Sequence, residues 1–179
     1  MKVCILSDSH DHIPLLNAAV ADAISKGCEV VLHCGDVVAP STLKCLLKYN
    51  IPVHTIHGNN AGDLYAMAKM SSRSNDLIHY YGMDAGIELD GRRIFLVHYP
   101  HYAKAMATSG DWNLVCCGHS HHVSIDEIKN VSGNTTWLIN PGTIGGVGQA
   151  KATYISADLE QMTFEVCEID KAIEHQLHF

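Results

Sequence analysis

The stretch "MKVCILSDSHDHIPLLNAAVADAISKGCEVVLHCGD", residues 1–36, carries the pattern that decides the fold. Met1 to Leu6 is apolar and partly β-branched, as in a strand buried on both faces. Ile13 to Lys26 switches to helical periodicity, with Pro14 in the first turn and Gly27 just past the end. Glu29 to His33 reads as a second strand. Downstream, Ser41 to Tyr49 reads as a helix with Ser41 as its N-cap, and Pro52 to Ile56 as a third strand. A β-α-β-α-β opening implies parallel strands joined by right-handed crossovers.

The remainder is different in kind. Ala61 to Met70 reads as a short helix and Ser71 to Asp76 as a polar loop. Gly86 to Leu89 and Arg92 to Val97 flank Asp90-Gly91, a hairpin signal. Pro100 to Ser109 reads as a helix stopped by Gly110, and Asn113 to Cys117 as a strand. Val123 to Ile128, Thr135 to Ile139, Thr153 to Ala157 and Thr163 to Glu168 complete a strand-rich half. An α/β start and a β-rich finish fit a two-sheet β-sandwich flanked by α-helices better than one doubly wound sheet. No repeat or linker interrupts residues 1–179, so a single domain is expected.

Composition narrows the function. Hydrophobic residues make up 47% and charged residues 17%, enough apolar material for a core and too little charge for disorder. A formal net charge of -7 leaves no basic footprint for stable nucleic-acid binding. No apolar run reaches a membrane-spanning length, and no basic segment precedes an apolar one at the N-terminus. A soluble cytoplasmic protein is expected. The seven cysteines lie mostly in apolar runs without a Cys-x-x-Cys, as buried thiols rather than a zinc knuckle. Homo-oligomerisation is compatible with the sequence, which does not specify it.

Five expected strands run directly into polar residues able to bind metal. They end in Asp8 and His10, in Asp36 after Gly35, in Asn59 and Asn60 after Gly58, in His98, and in His119 and His121 after Gly118. In open α/β sheets, ligands gather beyond the carboxyl ends of strands. On extended backbone, residues i and i+2 share a face, which pairs Asp8 with His10 and His119 with His121. Two carboxylates, four imidazoles and one amide oxygen exceed the needs of one ion and suffice for two. Mixed nitrogen and oxygen donors suit Mn, Ni, Fe, Co or Zn above Ca or Mg. Two divalent ions against Asp8 and Asp36, with a shared hydroxide, leave a site of about +1, suited to a phosphodiester anion.

The competing readings are local. Each segment alone fits an ordinary turn, and thirteen histidines form a dense background for any histidine motif. His122 has the wrong parity and reads as a bystander. His33, His54 and His57 read as core or turn residues. Gly142 to Gly148, "GTIGGVG", lacks the strand and helix of a dinucleotide loop, and Gly145 to Gly148 reads as a flexible loop near the site.

The order Asp-x-His, Gly-Asp, Gly-Asn, lone His and Gly-His-x-His, closed by "NPGT" at Asn140 to Thr143, resembles the calcineurin-like metallophosphoesterase superfamily. Within it, the short chain and Gly-Asn-Asn look like the small bacterial and archaeal phosphodiesterase branch. The resemblance implies a four-layer sandwich. It implies that Asp8, His10 and His121 hold one metal, that Asn59, His98 and His119 hold a second, and that Asp36 bridges them. Asp36 and Asn59 are the ligands it ties most closely to catalysis, and Mn is the metal it favours. It implies a phosphoester substrate, more often a diester, attacked by a hydroxide shared between two ions. A phosphomonoesterase and a non-catalytic scaffold of the same fold are the alternatives. A monoesterase would want a cation at the cleft, for which Arg73, Arg92 and Arg93 are candidates.

Two positions depart from the family pattern. Many relatives follow Gly-Asn with a histidine that assists the leaving group. Here Asn60 stands there and cannot act as an acid at neutral pH. His12 is a candidate substitute. The segment "VHYPHY" around His98 places Tyr99 and His101 where relatives often carry a small residue, and both are expected to narrow the cleft.

Overall fold

Residues 1–172 are described by a computed structural model. β1 (Lys2–Leu6) alternates its side chains between two apolar environments, Val3 and Ile5 on one face and Cys4 and Leu6 on the other. Both faces are therefore buried, which requires a layer on each side. On the Cys4–Leu6 side lies α1 (Ile13–Ser25), which buries Leu15, Leu16, Ala19, Val20 and Ala23. His12 caps it, its Nδ1 accepting the Leu15 N–H at 3.2 Å.

β2 (Cys28–His33), β3 (Val53–Thr55) and β4 (Ile78–Tyr80) extend the sheet in parallel, while β10 (Ala152–Asp158) and β11 (Thr163–Ile169) join it antiparallel on the other side. The order is β11-β10-β1-β2-β3-β4. The second sheet runs β5-β6-β7-β9-β8, from β5 (Asp84–Leu89), β6 (Arg92–Val97), β7 (Leu114–Cys116), β8 (Val123–Lys129) and β9 (Thr135–Pro141). Val3, Ile5, Leu32, Ile94, Leu96, Leu114, Ile139 and Ile155 fill the space between the sheets. α4 (Pro100–Thr108) covers the outer face of the second sheet, with Ala103 and Ala107 against Val97, Val115 and Cys117. The result is the four-layer sandwich expected from the sequence.

Local differences have simple causes. The second helix begins at Pro40, with Ala39 rather than Ser41 at the cap: α2 (Pro40–Lys44) passes into a 3-10 turn (Cys45–Tyr49) that Asn50 ends in the left-handed region. Proline suits the first helical position because its missing N–H would have no partner there. α3 (Leu64–Ser71) is capped by the Asp63 carboxylate, which accepts the Ala66 N–H. β4 was not expected: a three-residue strand behind a polar loop carries almost no periodic signal. Asp90 and Gly91 both have positive φ, the twist a two-residue hairpin requires. Among the described residues, no helix is long and apolar enough to cross a membrane.

Candidate metal centre

Loops following β1, β2, β3, β6 and β7 meet at one edge of the sandwich. They are tied by main-chain bonds: Asp8 N donates to Gly35 O, His10 N to Asp36 O, and Gly118 N to His98 O, each at 3.0 Å. The paired residues do not reach the site on extended backbone, as i and i+2 spacing suggested. Asp8, His10, Asp36, His119 and His121 all have φ between 43° and 66°. The left-handed region is costly for residues with a Cβ, by about 1–2 kcal/mol each, so the packing around these loops must hold them there.

The close approach leaves no room for side chains at two glycines. A Cβ on Gly58 would meet Asp36 Oδ1 and lie 2.6 Å from His98 Nε2. A Cβ on Gly118 would meet Ser7 Oγ and lie 2.5 Å from Asp8 Oδ2. Glycine before Asn59 and His119 thus serves close packing.

All seven candidate ligands converge. His121 Nε2 lies 3.2 Å from Asp8 Oδ1 and 3.2 Å from His10 Nε2. His10 Nε2 is 3.8 Å from Asp8 Oδ1 and 3.8 Å from Asp36 Oδ2. The other oxygen of Asp36 is 3.5 Å from His98 Nε2, so its two oxygens face different imidazoles. Asn59 Oδ1 lies 3.0 Å from His98 Nε2 and 2.8 Å from His119 Nδ1. Asp8, His10 and His121 form one potential metal-binding group, and Asp8, Asp36 and His98 form another.

Two observations favour a cation here. Asp8 is fully buried, and its Oδ1 has no hydrogen-bond partner, although Oδ2 accepts the His119 N–H at 2.9 Å. A buried carboxylate oxygen without a partner is expensive. His98 Nδ1 donates to Cys34 O at 2.8 Å, which leaves Nε2 unprotonated in the neutral ring and facing the acceptor Asn59 Oδ1. Opposed lone pairs of this kind repel unless a cation lies between them. The donor set and its geometry fit metal.

Several supporting residues were not foreseen. Asn60 donates to Asp36 twice, from its main-chain N at 2.9 Å and from Nδ2 at 2.7 Å. His33 Nε2 reaches Ser9 Oγ, between Asp8 and His10, at 3.1 Å. Asn140 Nδ2 donates to Gly118 O and Ser120 Oγ, bracing the turn that carries His119 and His121. Thr143 Oγ1 and Gly145 N both donate to Asp8 O. Gly145 and Gly146 are buried, so this part of "GTIGGVG" is a brace rather than a free loop, and Gly148 alone of its glycines is exposed. The signal lay in polar residues flanking the motifs, which a search for ligands passes over.

Other histidines stand apart. His122 is exposed, with Nδ1 donating to Ser120 O. His54 stacks on His79, and its Nδ1 pairs with the Tyr81 hydroxyl. His57 Nδ1 pairs with the Tyr80 hydroxyl, and burial pushes its pKa down. Tyr99 packs edge-on against His98 and His119, with ring centroids 5.3 and 5.0 Å away, while His101 is exposed. Arg92 donates to Leu159 O and Glu160 O, in the turn between β10 and β11.

A phosphodiesterase of Methanocaldococcus jannaschii is 29% identical over 150 residues, 82% of this chain and 86% of the relative. The solved structure of an archaeal phosphodiesterase superposes with a TM-score of 0.85 at 25% identity, covering 94% of this chain and all of that one. A single-residue variant of Vps29 from Entamoeba histolytica shares the fold, with a TM-score of 0.64 at 13% identity over 95% of this chain and all of that one. Residues 1–162 match the profile of the calcineurin-like phosphoesterase superfamily domain, and the chain belongs to that superfamily.

Proposed function

We propose that the protein is a phosphodiesterase that uses two divalent transition-metal ions, Mn foremost. The observation that carries the reading is the bare, buried Oδ1 of Asp8 within reach of His121 and His10. Asp8, His10 and His121 would hold one ion; Asn59, His98 and His119 would hold the other. Asp36 would be shared, since each of its oxygens faces a different imidazole. When bound, the ions supply Lewis acidity and lower the pKa of a coordinated water, so that hydroxide is available at neutral pH.

The chain's own residues do the rest. Asp8 and Asp36 offset cationic charge and leave a modest net positive field for a phosphoester anion. Cys34 O holds the His98 tautomer, keeping Nε2 open to the site. Asn60 fixes the carboxylate plane of Asp36 through both of its donors. Position 60 therefore has no proton for the leaving oxygen, which must be acidic itself or take a proton from solvent. His12 is an unsuitable replacement through Nδ1, whose lone pair caps α1.

A diester is favoured over a monoester by the phosphodiesterase relatives. The test is hydrolysis of bis(p-nitrophenyl) phosphate by metal-stripped protein after adding back Mn or Ni, with metal analysis of the reloaded protein. Metal-stimulated turnover, two ions per chain and loss of activity in Asp36→Asn are expected. Absence of metal-stimulated turnover with mono- and diesters alike would overturn the reading in favour of a scaffold, as would full activity in Asp36→Asn. Faster turnover of the monoester would favour a monoesterase.

A further inference from the structure

Two separate clefts each have one candidate ligand in their lining. One, of about 100 Å³, starts at His98 and is lined by His57, Met83, Asp84, Tyr99 and Tyr102. The other, of about 480 Å³, starts at His121 and is lined by Ser120, His122, Val147 and Lys151. The two histidines at their mouths reach the same oxygen: Asp8 Oδ1 is 3.2 Å from His121 Nε2 and 4.0 Å from His98 Nε2. A phosphoester bound at the cluster would meet one cleft on the His98 side and one on the His121 side, one for each ester arm.

The walls differ in chemistry. Met83 and Tyr102 are 65% and 54% exposed, so packing of the fold does not account for them. Tyr102 stands perpendicular to Tyr99, with centroids 5.9 Å apart at 88°. With His101, 4.2 Å from Tyr102, they form an aromatic cluster that leaves part of the exposed Tyr102 ring open to a further ring. Neither Lys nor Arg lines this cleft. Its volume is below that of the roughly 150 Å³ apolar cavity known to admit benzene. Open on one side, it takes at most one ring, and that ring only in part; a fused two-ring base would protrude further. The larger cleft is polar at its mouth, and its Lys151 is held by Glu168 at 2.8 Å.

We infer that the substrate is an unsymmetrical phosphodiester whose smaller arm is a single aromatic ring or an equally compact apolar group, seated against Met83, Tyr99 and Tyr102. The larger arm follows the His121 cleft, whose lining mixes Ser120, His122 and Lys151 with Val123, Val147 and Ala150. This rests on the metal-dependent phosphodiesterase reading and assigns its substrate class.

The test is calorimetric binding to the Mn-loaded protein, with phenylphosphonate and methylphosphonate as probes. Phenylphosphonate should bind about tenfold tighter than methylphosphonate. Met83→Ala and Tyr102→Ala should each bring that ratio toward one while the methylphosphonate Kd stays unchanged. 1-Naphthylphosphonate should gain nothing over the phenyl probe. Equal Kd values for phenyl and methyl probes in the unaltered protein would overturn the aromatic subsite and leave the metal centre standing. A phenyl preference surviving both substitutions would do the same. Failure of both probes to bind would overturn the underlying phosphoesterase reading, and the subsite with it.

Discussion

Asn60 is one of the two places where this chain departs from the pattern its family resemblance implies. Asn60 gives both of its donors to Asp36 and carries no titratable proton, so it positions a carboxylate and cannot protonate a leaving group. Turnover should therefore fall steeply as the leaving alcohol becomes less acidic. Across a series of aryl diesters, Asn60→His should flatten that dependence, and Asn60→Ala should lower metal affinity or activity by about 10–100-fold without changing its slope. A flat dependence in the unaltered protein would mean that an acid exists elsewhere. Residue types were legible from sequence: all seven candidate ligands lie together. The path by which they converge was not. Left-handed backbone at Asp8, His10, Asp36, His119 and His121 has no periodic signature, and parity on an extended strand does not describe the grouping: His121 sits with Asp8 and His10, and His119 with Asn59.

At the scale of elements, β2 is anchored to the site by its terminal residue. His33 ends β2 fully buried, its Nδ1 accepting from Gly35 N and its Nε2–H donating to Ser9 Oγ. Burial, only partly offset by the charge of Asp36, pushes its pKa down to about 3. Above the ordinary value of about 6.5 the ring is neutral folded or unfolded. As pH falls below it, the unfolded chain takes up a proton that the native chain refuses. Stability is then lost at about 1.4 kcal/mol per pH unit, until the folded value is reached. In urea unfolding of the metal-free protein, the wild type should lose roughly 2 kcal/mol more between pH 7 and pH 5 than His33→Gln. Equal losses would mean that His33 is not held neutral. Long elements such as α1 and the β5–β6 hairpin were legible because periodicity, proline and Asp-Gly agree in them. β4 was not, since Ile78–Tyr80 becomes a strand only through parallel pairing with β3, a long-range contact outside its own sequence.

At the scale of the whole molecule, the sandwich brings together carboxyl ends of strands from both sheets. β1, β2 and β3 supply Asp8, His10, Asp36 and Asn59, while β6 and β7 supply His98, His119 and His121. The interior between the sheets is apolar, so it fixes the distance between the halves and leaves the buried carboxylates to be balanced at the rim. The metal-free fold should then be less stable than it could be. Asp8→Asn keeps a carbonyl to accept the His119 N–H and turns an N–H toward His121 Nε2, now 3.2 Å from the bare oxygen. It should raise metal-free stability by about 1–3 kcal/mol, the cost of leaving a buried polar group unsatisfied. The same substitution should remove the part of the Mn stabilisation that comes from the ion held by Asp8, about 2.7 kcal/mol for one site at a hundredfold excess over Kd. Calorimetric unfolding in chelator and in saturating Mn would read both arms: the variant melts above wild type without metal and gains less than wild type when metal is added. If Asp8→Asn instead melts below wild type in chelator, Asp8 is an acceptor that the apo fold itself needs. Its bare oxygen would then no longer argue for an ion.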